Sequence, residues 1–357
     1  MRAGAEPRHR EILPSLYQVP GGRVLPGRPL DALPASTLSA RRAPSTLRGM
    51  STRIVVLGPS AHEQAAALTA ARPDVEFYPV ADVARGPLPA SADAVFGWGV
   101  PPELFNRVSN IRWVQWWAAG VERALSLPES VLLTRMEDVF TPDMAEHVLG
   151  CLLDWVKNFD QARRQQAEHV WARYDTASLH GQVLVVAGAG RIGGGMADRL
   201  EALGVVVRRL ARTHRVRPDG SVVYGHDESE AALLGANGVI LVLPHTPETI
   251  GFLNAARIGQ MAPGAVVVNV GRGSAVDEEA LMAALASGQL SRAYLDVARH
   301  EPLPADSPLW DAPGVRITPH VSGPNRHDDV LAYSLENLAR WERGEPLRGV
   351  VDRQRGY

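Results

Sequence analysis

Four stretches of this chain hold residues that could act together on a small ligand. Gly188-Ala189-Gly190-Arg191-Ile192-Gly193 matches G-x-G-x-x-G. An apolar strand, Val183–Ala187, precedes it, and an amphipathic helix carrying Met196, Leu200 and Leu203 follows. In that setting Gly188 allows the tight turn and Gly190 lets the backbone approach a pyrophosphate. Gly193 lets helix and strand pack closely, and the helix N-terminus faces the phosphate charge. Further on, the apolar run Val266–Val270 ends in Gly271-Arg272-Gly273. "AYLDVARHEPLP" sets Asp296 near a strand end with Glu301 beyond it, and "VRITPHVSG" leads into His320. An arginine, a carboxylate and an imidazole thus follow the carboxyl ends of strands, where open α/β sheets bind ligands. Their order is the one a hydride-transfer site needs.

The second strand of the dinucleotide unit narrows the ligand. NAD sites place an Asp or Glu about 20 residues past the glycines to accept the adenosine ribose hydroxyls. Here the strand ends Leu210-Ala211-Arg212-Thr213-His214-Arg215, with no carboxylate. A ribose phosphate brings about -1.5 to -2 charges, by analogy with other phosphate monoesters. Arginine pairs with such a group bidentately, where an acid would repel it. Arg212, Thr213 and Arg215 therefore predict a pocket for NADP(H). A charged hydrogen bond contributes roughly 1.5–3 kcal/mol, and less at a solvated rim; two such bonds still give about a hundredfold preference.

Composition removes several other classes of function. The 357 residues carry a formal net charge of -2, so nothing electrostatic points to nucleic acid as a partner. Cys151 is the only cysteine, which excludes disulfide frameworks and cysteine-rich metal sites; no metal is expected. No apolar run approaches the ~18 residues that span a membrane. Residues 1–50 are rich in Arg, Pro, Ala and Ser and lack apolar periodicity. They read as a disordered extension, with an organelle transit leader as the alternative.

From Met50 onward strands and helices alternate, which predicts parallel sheets with helices on both faces. The first series runs through Arg53–Leu57, "VEFYPV", "DAVFGWG", "IRWVQWW" and Val131–Glu137. Thr141-Pro142-Asp143 then opens a helix, with Thr141 as N-cap and Pro142 in the first turn. Val148, Leu152, Trp155, Val156 and Phe159 mark its apolar side, and its polar second half extends to about Trp171. The second series has strands at Val183–Ala187, Val205–Leu210, Val239–Leu243, Ala265–Val270 and Ala293–Val297. The last helix, from about Asp328 to Arg343, is expected to return to the first domain and make it discontinuous. The predicted organisation is 51–149 plus 324–357 as substrate domain and 150–323 as NADP-binding Rossmann domain with the linking helix. Gly194 and Gly195 prolong the glycine run into the helix. Each weakens a helix by up to ~1 kcal/mol against alanine, so a mobile first turn is expected.

"GWGVPPELF", "RMEDVFTPDMAEHV", "LPHTPETIG", "NVGRGS", "LDVARHEPLPADSPLW", "ITPHVSG" and the tail "VDRQRGY" together resemble the D-isomer-specific 2-hydroxyacid dehydrogenase family. Within it the chain is most similar to the glyoxylate/hydroxypyruvate reductase A branch, from about Asp93 to Tyr357. The resemblance implies two Rossmann-like domains, one flavodoxin-like and one dinucleotide-binding. It implies catalysis by Arg272, Glu301 and His320. His320 would give a proton to the developing alkoxide, Glu301 would hold the ring and favour its charged form, and Arg272 would bind the substrate carboxylate and polarise the keto oxygen. It also implies Asp296 on the nicotinamide carboxamide, backbone groups of Ala119, Gly120 and Val121 on the substrate, and Trp98 walling the pocket. Cofactor contacts are expected from Arg191, Ile192, Leu243, Pro244, Val270, Gly271 and Ser322. His245 is left unassigned, and Trp116 and Trp117 are expected to pack on opposite faces of their strand.

The function implied is an NADPH-preferring reductase, with NAD as a second cofactor, that turns glyoxylate into glycolate and hydroxypyruvate into D-glycerate. A cytoplasmic homodimer is implied too. One alternative is an NAD-linked D-2-hydroxyacid or phosphoglycerate dehydrogenase, against which the missing acid at Ala211 speaks. Another is a catalytically silent nucleotide-sensing interaction protein, against which the complete Arg272, Glu301 and His320 set speaks.

Overall fold

The structure, a computed structural model, describes residues 52–357; the expected extension at 1–50 lies outside the described residues. Two parallel sheets organise the chain. The first joins β1 (Arg53–Leu57), β2 (Glu76–Val80), β3 (Ala94–Gly97), β4 (Trp113–Trp116) and β5 (Leu132–Thr134) in the order β2-β1-β3-β4-β5. Helices α1 (Ala61–Ala71) and α2 (Leu104–Arg107) lie between its strands. After the linking helices α3 (Thr141–Lys157) and α4 (Phe159–Ala167) comes the larger sheet. Its strands are β6 (Val183–Ala187), β7 (Val206–Leu210), β8 (Arg215–Val216), β9 (Val222–Tyr224), β10 (Gly238–Leu241), β11 (Ala265–Asn269), β12 (Leu290–Leu295) and β13 (Val315–Ile317). They run β13-β12-β11-β10-β6-β7-β9-β8, all parallel except the β8–β9 pair. Helices α5 (Arg191–Ala202), α6 (Ser229–Leu233), α7 (Ala255–Gln260) and α8 (Glu278–Ser287) cover it, and α9 (His327–Arg343) closes the chain.

Strands covered on both faces read as continuous apolar runs, and β6 shows why. Leu184 and Val186 enter one core cluster, Val185 and Ala187 the opposite one. The first of these clusters also contains Ile54, Val56 and the α3 residues Val148, Leu152 and Val156, so α3 is a wall shared by both lobes. Helix α9 packs back on the first sheet. Trp341 stacks on Trp113 with ring centroids 5.4 Å apart, Trp117 Nε1 donates to Ser334 Oγ at 2.8 Å, and Val351 N donates to Leu133 O at 2.9 Å.

Several sequence expectations are corrected. The linking helix breaks at Asn158, whose φ of 49° is left-handed, a conformation Asn tolerates. Beyond the break Asp160 is drawn to Arg292 and Arg316 of the larger sheet, so α4 turns away and Phe159 is left exposed. Helix ends at Ala167, and Trp171 stands fully exposed beyond it. Thr141 is the first helical residue, not a cap. Its hydroxyl is buried without a hydrogen bond among the described residues. Leu203, placed on the buried side of its helix, is half exposed just past the end of α5. The short β8–β9 pair was not expected, because Arg215-Val216 lies in a run too polar to show a strand period. Among the described residues no helix is long and apolar enough to cross a membrane.

Candidate active site

The glycine turn joins β6 to α5, and its geometry explains each glycine. Gly188 has φ +101°, and a Cβ there would come within 2.4 Å of Val242 O. A Cβ on Gly193 would meet Gly188 O at 2.3 Å, whereas Gly190 faces open space. Gly271, at the end of β11, approaches the Leu243 backbone so closely that a Cβ would fall 2.6 Å from its nitrogen. A bare backbone cradle of this kind fits a dinucleotide pyrophosphate at a helix N-terminus. Leu243 and Val270 are buried beside it, and Pro244 and Ile192 are half-buried. The first turn of α5 is helical from Arg191. Gly195 is needed there because a Cβ would lie 2.9 Å from Thr141 Cγ2, where α3 crosses α5.

At the end of β7 the chain exposes Arg212, Thr213 and Arg215. Arg215 Nη2 donates to Ala189 O of the glycine turn at 3.1 Å. The Arg212 side chain makes no hydrogen bond or ion pair among the described residues, though its charge helps hold the Glu248 carboxyl below the usual range, after the Glu248 amide and the Thr246 side chain. His214 is engaged elsewhere, with Nδ1 2.8 Å from Glu228 Oε2. Arg191 points across the cleft, its Nε 2.7 Å from Glu137 Oε2.

Three adjacent strands, β11, β12 and β13, deliver the remaining groups. Arg272 follows β11, Glu301 follows β12 and His320 follows β13. His320 Nδ1 lies 2.7 Å from Glu301 Oε2. An ionised carboxylate only accepts, so Nδ1 carries the hydrogen and Nε2, with no partner among the described residues, is the nitrogen open to the cleft. The other Glu301 oxygen accepts from Ala298 N at 3.0 Å, which fixes the carboxylate. His320 itself sits at φ 55°, its amide donating to Asp296 O at 2.8 Å.

Asp296 is buried and serves the same loop. Its Oδ1 accepts from Thr318 Oγ1 at 2.5 Å and Val321 N at 2.9 Å, its Oδ2 from Ser322 N at 2.9 Å. Burial opposes its ionisation, but the donors from Ser322, Thr318 and Val321 outweigh that and hold the carboxyl below its usual range. The Ser322 side chain bonds this carboxylate as well, so donors from three residues of the loop hold it.

The segment after β4 forms the facing wall. Ala118 O accepts from Met136 N at 3.1 Å, Ala119 O from Arg135 Nη1 at 2.9 Å, and Gly120 O from Trp116 Nε1 at 2.8 Å. With its carbonyls so held, the amides of Ala119, Gly120 and Val121 have no acceptor among the described residues. The Arg272 guanidinium lies against this loop: a Cβ on Gly120 would be 1.4 Å from Nη2. Trp98 follows β3 at 53% exposure and is no core residue. It borders two clefts of about 420 and 320 Å³, shared with Leu57, Gly58 and Pro59, where β1 and β3 diverge.

Some contributors escape sequence reading. Asn269 is buried, donates to Arg272 O at 3.0 Å and accepts from Gly271 N at 3.1 Å, so it shapes the "NVGRG" turn. Trp116 and Trp117 do enter clusters on opposite faces, yet Trp116 also pins the loop at Gly120. His245 Nδ1 lies 2.6 Å from Ser274 Oγ.

A glycine cradle beside an Arg, Glu and His set on consecutive strand ends defines a dinucleotide-dependent α/β oxidoreductase. Residues 149–322 match the model for the D-isomer specific 2-hydroxyacid dehydrogenase NAD binding domain. Glyoxylate/hydroxypyruvate reductase A from two Klebsiella pneumoniae strains is 35% identical over 275 residues, 74% of this chain and 88% of that protein. A D-isomer specific 2-hydroxyacid dehydrogenase from Xanthobacter autotrophicus Py2, solved with NADPH and MES, superposes with a TM-score of 0.79 at 32% identity. It covers 86% of this chain and 100% of its own. The NADPH-dependent glyoxylate/hydroxypyruvate reductase of Sinorhizobium meliloti, solved with NADP and sulfate, gives 0.78 at 30% identity with the same coverage. The chain belongs to the D-isomer specific 2-hydroxyacid dehydrogenase family and is an NAD(P)-dependent enzyme of that family.

Proposed function

We propose that this protein reduces small 2-keto acids with a preference for NADPH, converting glyoxylate to glycolate and hydroxypyruvate to D-glycerate. The first-sheet lobe with α9 is then the substrate domain and the larger sheet the cofactor domain. The observation that carries this reading is the pairing of free amides at 119–121 with the Arg272 guanidinium lying against Gly120. Together they form a receptor for one carboxylate. A bound reduced nicotinamide supplies hydride to the keto carbon. Arg272 and the loop amides hold the carboxylate and polarise the keto oxygen. His320 Nε2 gives that oxygen its proton, and Glu301 keeps Nδ1 occupied so that only Nε2 can do so. Asp296 holds the His320 loop, with Ser322 fixed beside it, at the position that the family resemblance gives to the nicotinamide carboxamide.

The preference for NADPH rests on Arg212, Thr213 and Arg215 standing where an acid would serve NAD. Arg191 and the backbone at Gly188, Gly190, Ile192, Gly193, Leu243, Pro244, Val270 and Gly271 frame the rest of the cofactor. The curated relatives named for glyoxylate and hydroxypyruvate support the substrate assignment, and the neighbours solved with NADPH or NADP support the cofactor. The same reading makes the protein a cytoplasmic homodimer; exposed Phe159, Val170 and Trp171 on the linking arm offer apolar surface to a second copy. The test is a panel of 2-keto acids with NADPH and NADH, followed by loss of reduced-cofactor absorbance. Turnover of glyoxylate and hydroxypyruvate, faster with NADPH, is expected. No turnover with either cofactor, or better turnover with NADH, overturns the proposal.

A further inference from the structure

Arg272 is bound by an acid that no sequence motif marks. Glu122 opens a short turn just past the substrate loop, on the first lobe. It reaches across the cleft to Arg272, with Nε donating to Oε1 at 2.9 Å and Nη2 to Oε2 at 3.3 Å. Arg272 Nη1 donates to Gly271 O at 2.8 Å.

A guanidinium has five N–H groups. Glu122 takes one from Nε and one from Nη2, and Gly271 O takes one from Nη1. Two remain, one on each terminal nitrogen. Gly120 lies against Nη2 with no side chain between them, so these two N–H groups share the cleft with the loop amides. A flexible arginine loses rotamer freedom when it is held on a ligand, which binding must otherwise overcome. A carboxylate fork on its side edge removes that freedom beforehand. Glu122 is itself fixed. Burial pushes its carboxyl up, but the Arg272 charge and hydrogen bonds, with the amides of Glu122 and His245, more than offset this and keep it below the usual range.

We infer that Glu122 is a positioning residue for 2-keto acid reduction: it clamps the side edge of Arg272 so that the two remaining N–H groups face the substrate carboxylate. The inference rests on the proposed reading of the site. Glu122 touches no reacting atom, and it ties the lobes together through the arginine that holds the substrate.

The experiment measures the full-length protein, wild type against Glu122→Gln and Glu122→Asp, in two ways. Calorimetry gives the affinity for oxamate, an unreactive 2-keto acid mimic, in the presence of NADPH. Steady-state kinetics with glyoxylate give KM and kcat separately. Gln keeps the size but presents a donor where Arg272 also donates, so oxamate affinity and the glyoxylate KM should each worsen by about tenfold or more, with a smaller fall in kcat. Asp, which keeps the charge and both acceptors, should recover part of the loss. NADPH affinity and melting temperature should change little. Unchanged or tighter oxamate binding in Glu122→Gln overturns the inference; tighter binding would mean that Glu122 competes with the substrate for Arg272. If Gln does not fold, Glu122→Ala takes its place, and unchanged or tighter oxamate binding in that variant overturns the inference. A wild-type protein that neither binds oxamate nor reduces any keto acid defeats the underlying reading instead.

Discussion

At the carboxyl ends of β11 to β13, Arg272 gives two N–H groups to Glu122 and Glu301 holds one nitrogen of His320; at the end of β7, Arg212 has no bonded partner among the described residues. The loop facing Arg272 has three successive carbonyls tied down, whereas Arg215 is steadied by a single bond to Ala189 O. Both regions rely on arginine and both lie at strand ends of one sheet. On the proposed reading they differ in what they must recognise. A transition state is stabilised only by groups already aligned with it, and small misplacements are costly. A ribose phosphate is a compact charge that mobile arginines can approach from several directions. Alignment is therefore built in where direction matters, and left to the ligand where charge suffices.

If the braced edge works as a unit, its members should act non-additively. His320→Ala should lower kcat for glyoxylate reduction by at least ~100-fold, the lower end of general-acid help. Glu301→Gln should cost less alone, because the ring remains. Added to His320→Ala it should cost almost nothing more, since its only task is then gone. Stopped-flow or steady-state rates of the two single variants and the double variant decide this. Independent, multiplying losses would mean that Glu301 acts on substrate without His320, and near-normal turnover by His320→Ala would remove the proton donor.

The rim should behave in the opposite way. Arg212→Asp with Arg215→Ala should raise the KM for NADPH by about a hundredfold while changing that for NADH far less, at the lower end of roughly 1.5–3 kcal/mol per charged bond because the rim is solvated. Each single change should account for its own share, because neither arginine braces the other. Equal effects on the two cofactors would place the phosphate pocket elsewhere and erase the contrast.

What could be read beforehand follows the same division. Gly188, Gly190 and Gly193 were legible because a strand and a helix flank them and their needs are local. Arg272, Glu301 and His320 were legible through motifs whose spacing resembles a known family. Glu122 was not, because its partner lies 150 residues away and an acid in "VERAL" looks like any solvated turn residue. The break at Asn158 was hidden too, since a helical period continues through it, while Asn158 and Asp160 are both held by arginines of the larger sheet far along the chain. Long-range pairing, which a single sequence does not display, decides these features.

Between edge and rim lies the start of α5, and there the bracing is in the backbone. The two glycines beyond the motif separate cleanly. At Gly194 a Cβ would have only Ala189 O nearby, at 3.9 Å, and φ is ordinary; at Gly195 it would press on Thr141 Cγ2 at 2.9 Å. Gly194→Ala should therefore stabilise the protein by about 0.5–1 kcal/mol, the helix-propensity gain over glycine. Gly195→Ala gains the same propensity but must push α3 away, and overpacking of this kind costs about 1–3 kcal/mol. Its net effect should be a loss of stability. Melting temperatures of the two variants should thus move in opposite directions by a few degrees. A rise in both would show that the α3–α5 crossing has room to spare.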